Sequence, residues 1–285
     1  MRAPAVVLLA AVCAATACAD EREGPKSIPS TGVDLCPRPK EIRPEFHQGD
    51  RLADKTLALT FDDGPSEITS ELSTYLKSEG IAATFFVNGA NFAGRETVPS
   101  QVVADGHLVG NHTQTHAALT TLSAADVIRE VEETDALIKS LVPAEKLYFR
   151  PPFGDFDAKV HGALSGSTMN KYQGPVGWDI GDHLGPDSAA DWDCWSADDG
   201  TTRTVDECGA LYLKEIRTKT KGIVLMHDGP PGGDGAKTLE MVKAIVPTLK
   251  KEGYSFARID AKPATTGPGT AGNGAGGASP DPCSK

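Results

Sequence analysis

The sequence has no uninterrupted apolar stretch of the roughly 18–20 residues that a membrane-crossing helix needs, so a central membrane span is excluded. Positive charge is also scarce. There are 28 Lys and Arg against 39 Asp and Glu, a formal net charge of −11. Nucleic-acid binders draw affinity from a basic surface that displaces counterions from phosphates, so nucleic acid is excluded as a partner. An anionic lipid surface gains nothing from this balance either. No Cys-x-x-Cys pair occurs among the 6 cysteines, which removes the usual small zinc module. No segment repeats at a fixed period, so a solenoid or propeller is not expected.

What is present is a chain of 285 residues with 39% hydrophobic content. That is enough to bury a full core in one large α/β domain or two small ones, and too apolar for whole-chain disorder. Residues 1–17 read as a secretory signal: Met1-Arg2, a small apolar stretch, then Ala15-Thr16-Ala17 as the cleavage site. Two readings of Cys18 stay open, a plain new N-terminus or the lipidated first residue of a bacterial lipoprotein. Both imply export, to the cell envelope, periplasm or exterior, with membrane contact only through that anchor. With Cys13 in the signal and Cys18 at its end, four cysteines remain, an even number suited to an oxidising compartment. Cys194 and Cys208 bracket a short polar loop and are expected to pair; Cys36 and Cys283 then pair by elimination.

Residues 18–50 are Pro-rich and mixed in charge and are expected to be a linker; 263–285 form a Gly/Pro-rich tail. The body, 51–262, alternates strand and helix signals. Strands are expected at 56–61, 83–88, 107–110, 148–149, 176–180, 223–226 and 255–259. The clearest helix starts at Ser123, with Asp126 as its capping partner and Val127, Val131, Ile138 and Leu141 as an apolar face. Such alternation predicts a parallel sheet, open or closed into a barrel, with its site at the carboxyl ends of the strands.

The polar clusters lie where that rule puts chemistry. Asp62-Asp63-Gly64-Pro65 follows the first of these strands, and His112-Thr113-Gln114-Thr115-His116 the third. Arg150-Pro151-Pro152-Phe153-Gly154 follows Tyr148-Phe149, and His227-Asp228-Gly229 follows the sixth. Two histidines four apart plus one carboxylate from another strand make three ligands of a divalent metal with open positions, here Asp63, His112 and His116. Asp62 could then take a proton from water, His227 could give one to a leaving group, and Arg150 could aim Asp62. Those parts suit hydrolysis of an amide or ester. Each motif alone is an ordinary turn or a solvated face; four at strand ends in one domain are not. His47, His107 and His161 are assigned no function.

These residues resemble the polysaccharide deacetylase family, carbohydrate esterase family 4 with its NodB homology domain, over about 51–260. The resemblance implies a distorted (β/α) barrel, usually of seven strands. It implies Asp62 as catalytic base, Asp63, His112 and His116 as metal ligands, and Arg150 as the contact of the base. The backbone N–H near Phe153 would help bind the oxyanion. Leu225 would line the acetyl-methyl pocket and His227 would be the general acid. The family's fourth motif, Asp-x-x-Asp-Trp, departs here. Either Asp179, with Asp182, fills the role after Trp178, or an insertion delays it to Asp191-Trp192, which is preferred. Phe153, Trp178 and Trp192 could rim a groove that stacks sugar rings, or could be core.

The resulting expectation is an exported, monomeric, metal-dependent hydrolase that removes N-acetyl groups from N-acetylglucosamine glycans such as peptidoglycan, chitin-like oligomers or an exopolysaccharide. Zinc is the default metal, with cobalt or nickel as alternatives. The alternatives are an O-acetyl xylan-type esterase and a non-catalytic carbohydrate-binding protein on the same scaffold. The latter predicts loss of the base, the acid or a ligand, and none is lost. A two-His-one-carboxylate iron oxygenase also fits the ligand types, but the β/α alternation opposes it.

Overall fold

The computed structural model describes residues 41–196, 202–230 and 233–260. The signal at 1–17, Cys18, the Cys36–Cys283 pair, most of the expected linker and the 263–285 tail lie outside the described residues.

A parallel sheet forms the centre. Strand β2 (Thr56–Gly64) is buried along its whole length, as a strand covered on both faces must be. It pairs on one edge with β6 (Gly222–His227) and on the other with β3 (Thr84–Val87), which pairs with β4 (Leu108–Asn111). The short β7 (Ser255–Phe256) takes the first residues of the β2 edge that β3 takes further along. Beyond β4 the pairing continues through single parallel bridges. Asn111 pairs with Phe149 and Tyr148 with Gln173, and Ile180 bridges back to Val224 on β6. Segment 173–180, which contains β5 (Gly174–Val176), thus returns the hydrogen bonding to β6, and the ring closes as a distorted α/β barrel.

The distortion has local causes. Tyr148-Phe149 are bridges rather than a full strand, because Pro151 and Pro152 follow and have no N–H to continue a ladder. The expected strand at 176–180 splits because the Asp179 carboxylate accepts from the backbone N–H groups of Gly49 and Ile223, both at 2.8 Å, in place of regular pairing. The 18–50 stretch is not linker throughout: β1 (Ile42–His47) pairs with β5. Its Pro44 and alternating charges hide it, and they are tolerated because β1 is an edge strand.

Helices α1 (Thr69–Ser78), α2 (Val98–Ala104), α3 (Ala124–Ile138), α4 (Ala158–Ser165), α6 (Val205–Lys219) and α7 (Gly235–Lys251) cover the ring. Helix α3 starts as expected: the Ser123 hydroxyl accepts from the Asp126 N–H, and Val127, Val131 and Ile138 are buried. Leu141 falls beyond its end and packs against the core from there. Helix α6 opens with a complete capping box between Thr204 and Glu207. No helix among the described residues is long and apolar enough to cross a membrane.

Cys194, on the short helix α5 (Asp191–Trp195), is disulfide-bonded to Cys208 on α6. The bond closes a loop with a sequence separation of 14, which stabilises by about 3 kcal/mol in the chain-entropy picture. Reduction is therefore expected to lower the melting temperature measurably; an unchanged melting temperature on a thiol-free control scale would contradict that contribution.

Candidate active site

Strand periodicity builds the first half of the site. Thr60 and Asp62 are two apart on β2, so both point to one face. The guanidinium of Arg150 sits against that face, fully buried, with Nη1 donating to Thr60 Oγ1 at 2.8 Å and to Asp62 Oδ1 at 2.7 Å. Its other nitrogens donate to the carbonyls of Gly177 and Val176, and its plane lies 4.3 Å from the Phe86 ring centre. All three nitrogens of the cation are therefore engaged, and Asp62 Oδ1 is held by a charge-assisted bond from an otherwise fixed guanidinium. Asp62 Oδ2 is left facing His112 Nε2 at 3.6 Å.

Asp63 turns away from the strand into the left-handed region at φ 72°, which carries its carboxylate to the rim. Thr113 (φ 70°), His116 (φ 60°) and Phe153 (φ 59°) share that backbone conformation. Among the described residues, four of the six non-glycine positions with positive φ thus gather here, the clustering expected where function maintains strain.

His112 and His116 come from the loop after β4. Asp63 Oδ1 lies 3.6 Å from His112 Nε2 and 3.3 Å from His116 Nε2, and the three ligand atoms fall within 4.8 Å of one another. His112 Nδ1 is 2.8 Å from the Arg150 carbonyl, to which it donates, so Nε2 is the nitrogen left facing Asp63. Burial, and then His112 beside it, push the His116 pKa down to about 3, so that imidazole is neutral. One carboxylate and two imidazoles with converging ligand atoms fit a divalent cation of the zinc type.

The second half comes from β6. The β2–β6 register places Asp62 directly beside His227. Asp191 pairs with this histidine twice, through Nδ1 to Oδ1 at 2.8 Å and from the His227 backbone N–H to Oδ2 at 2.7 Å. Burial alone would lower the His227 pKa. The charge and hydrogen bond of Asp191 outweigh it, with Asp63 and Asp62 adding to them, and raise the pKa to about 9. The imidazole is thus a cation at neutral pH, with Nε2–H as its transferable proton.

Of the two residues weighed for the partner of His227, the structure brings Asp191 there and not Asp179. Asp179 is bonded at the opposite, amino end of β6, where its backbone hydrogen bonds hold Gly49 and Ile223. Phe153 is 68% exposed with its ring centre 4.5 Å from that of His116, and Trp192 is 40% exposed on α5. Trp178 donates its indole N–H to Asp182 and closes over Gly154, whose absent Cβ would meet the ring at 3.0 Å. Leu225 is nearly buried, two residues before His227.

Some contributors escaped the sequence reading. Glu130 on α3 accepts from both the N–H and the hydroxyl of Thr115, at 2.8 and 2.7 Å, and so anchors the loop between the two histidines. Its signal was an acid within the apolar stripe of α3, beside Val127 and Val131. Asn88 donates to the His112 carbonyl, and Asn91 to that of Asp63. Asp228 is buried against Gly64, where a Cβ would meet its carboxylate at 2.6 Å; burial, with Asp63 and Asp62 as like charges, raises its pKa to about 7.

Fold and site together define a hydrolase of the distorted (β/α)-barrel class. The family model described as polysaccharide deacetylase matches residues 49–170. A chitooligosaccharide deacetylase of Rhizobium leguminosarum bv. trifolii is 34% identical over 216 residues, covering 72% of this chain and 91% of that protein. A chitin deacetylase of Colletotrichum lindemuthianum is 44% identical over 211 residues, covering 71% and 77%. The solved structure of a peptidoglycan N-acetylglucosamine deacetylase shares the fold with a TM-score of 0.59 at 23% identity, covering 74% of this chain and 89% of that one. The chain belongs to the polysaccharide deacetylase family.

Proposed function

We propose that the protein is an exported, metal-dependent deacetylase that hydrolyses N-acetyl groups of N-acetylglucosamine glycans, with Asp62 as base and His227 as acid. The observation that carries this reading is the pairing of Asp62 with His227 on adjacent strands beside the Asp63–His112–His116 cluster. The similar proteins that act on chitin and chitooligosaccharides support the N-acetyl bond.

Asp63, His112 and His116 would hold a divalent cation, zinc first and cobalt or nickel next, which supplies Lewis-acid polarisation of a carbonyl oxygen and a lower pKa for water. The chain's own residues do the rest. Asp62, aimed by Arg150, accepts the proton of the attacking water. The Phe153 backbone N–H donates to the oxygen that gains charge, a kind of contact worth roughly 3 kcal/mol. His227, oriented by Asp191, gives its Nε2 proton to the departing sugar nitrogen as the C–N bond breaks. Acetate and a free amino sugar result. Leu225 contributes an apolar wall for the acetyl methyl group. Phe153 and Trp192 present their exposed ring faces to the glycan, an open arrangement that suits a polymer.

The test is acetate release by the metal-loaded mature protein on N-acetylglucosamine oligomers, peptidoglycan and acetylated xylan. Release from an amino-sugar substrate is expected, abolished by a chelator and restored by zinc, cobalt or nickel. Release from xylan alone would overturn the N-deacetylase reading. Trp192→Ala is expected to raise KM for oligomers about five-fold, the equivalent of about 1 kcal/mol of stacking, with kcat little changed. An unaltered KM would remove Trp192 from the groove. Cleavage after Ala17 and the fate of Cys18 are checked by the mass of the protein recovered from cells, with an added acyl mass marking the lipoprotein form.

A further inference from the structure

Behind the Asp191–His227 pair lies a buried chain of side chains that the reaction scheme above does not use. Thr238, on the first turn of α7, donates from Oγ1 to Asp191 Oδ2 at 2.9 Å. The indole N–H of Trp195, on α5, reaches Thr238 Oγ1 at 3.1 Å. Thr238 and Asp191 are fully buried and Trp195 nearly so.

Donor and acceptor chemistry gives this chain one direction. An indole nitrogen only donates, so Thr238 Oγ1 must accept from Trp195. The threonine proton is then aimed away from the indole, and Asp191 Oδ2 stands at hydrogen-bond distance to take it. Asp191 Oδ2 accepts from the Thr238 hydroxyl and the His227 backbone N–H, and Oδ1 accepts from the Trp192 N–H and, at 3.5 Å, the Tyr212 hydroxyl, with His227 Nδ1 at 2.8 Å from Oδ1. With both oxygens so engaged, His227 Nδ1 stands as the donor to Oδ1. The polarity therefore runs from Trp195 through Thr238 to Asp191 and leaves His227 Nε2 facing the site.

We infer that Thr238 and Trp195 are positioning residues that set the strength and orientation of the His227 acid through Asp191. The inference rests on the reading of His227 as general acid. The hydroxyl draws charge from the carboxylate. Without it, Asp191 holds the imidazolium more tightly, and a more tightly held proton is given up more slowly to the leaving group. The other charged or titratable groups facing His227 are Asp62 and Asp63 from β2 and His116 from the loop after β4, and none is altered by a substitution at 238.

Thr238→Val keeps the shape and removes the hydroxyl; Thr238→Ser restores it. For the metal-loaded protein, Thr238→Val is expected to lower kcat roughly 10-fold, a part of the 10²–10⁴ that general acid catalysis contributes, with KM and metal stoichiometry unchanged. The His227 titration, followed by histidine side-chain nitrogen NMR, should move to higher pH. Thr238→Ser should return both readouts toward the parent values, and Trp195→Phe should move them in the same direction as Thr238→Val by less. An unmoved His227 titration with only a lowered melting temperature would reduce Thr238 to packing and overturn the inference. So would equal losses in the Val and Ser variants. The two readings fail differently: if the parent protein releases no acetate, the deacetylase reading falls, while the NMR arm still reports whether Thr238 acts on His227.

Discussion

Asp62→Asn is expected to lower kcat by roughly 10²–10⁴-fold, the range that a positioned proton acceptor contributes, while metal stays bound. The amide keeps the shape and can still accept from Arg150 Nη1, so the geometry at Thr60 and Phe86 survives. What it lacks is the negative charge and the capacity to take a proton. The metal cluster uses Asp63 and the two histidines and does not depend on Asp62 Oδ2, which lies 3.6 Å from His112 Nε2. The substitution also leaves the Arg150 cation buried without its counter-ion, and a broken buried pair costs stability. The melting temperature should therefore fall although the active-site layout is kept. The measurement is kcat on an N-acetylglucosamine oligomer, with metal content and melting temperature on the same preparation. Near-parental kcat would remove Asp62 from the role of base.

Asp191→Asn should be nearly as damaging at neutral pH, and its pH dependence gives the cause. With His227 as the proposed acid and its pKa raised to about 9, kcat/KM is expected to be sustained at neutral pH and to fall as pH rises through that value. Asp191 is the group that outweighs burial. Once it is neutral, burial pulls the His227 pKa down again, and the falling limb of the pH profile moves to lower pH. A larger share of molecules then lacks the proton at pH 7, and a loss of up to about 10²-fold is expected from the acid's share of the rate. Activity should partly return on acidification. Profiles of both proteins at equal metal loading test this. A limb that stays in place would show that His227 does not supply the proton. The shift is opposite in sign to that expected for Thr238→Val, so the two variants distinguish loss of the carboxylate charge from its concentration.

Much of this centre was readable from local order in the chain. A strand-end Asp-Asp-Gly, a His-x-x-x-His loop, an Arg-Pro-Pro and a strand-end His each follow an apolar run. A parallel α/β sheet must gather such strand ends on one rim. The same logic located the core strands, and the short polar loop between Cys194 and Cys208 identified that disulfide. The strand β1 was not legible, because Pro44 and neighbouring charges break the apolar pattern that an edge strand does not need.

Other features depend on long-range pairing, about which spacing along the chain is silent. Asp179 and Asp191 were both candidates for the partner of His227. The choice falls to Asp191 because the loop ending in α5 returns over β6, while Asp179 is spent on the backbone at the other end of that strand. Glu130 and Thr238 lie on helices whose sequences carry no catalytic motif, and Trp195 lies on α5 outside the Asp191-Trp192 pair. Their side chains acquire meaning when α3 closes on the histidine loop and α7 on Asp191. A buried polar group must find its partner wherever the packed chain brings one, and that partner is seldom close by in sequence. Residue identity and local period were therefore enough for the Asp63–His112–His116 ligand set and the strand ends, whereas the partner and orientation of His227 came only from contacts between residues about 20 to 50 positions apart.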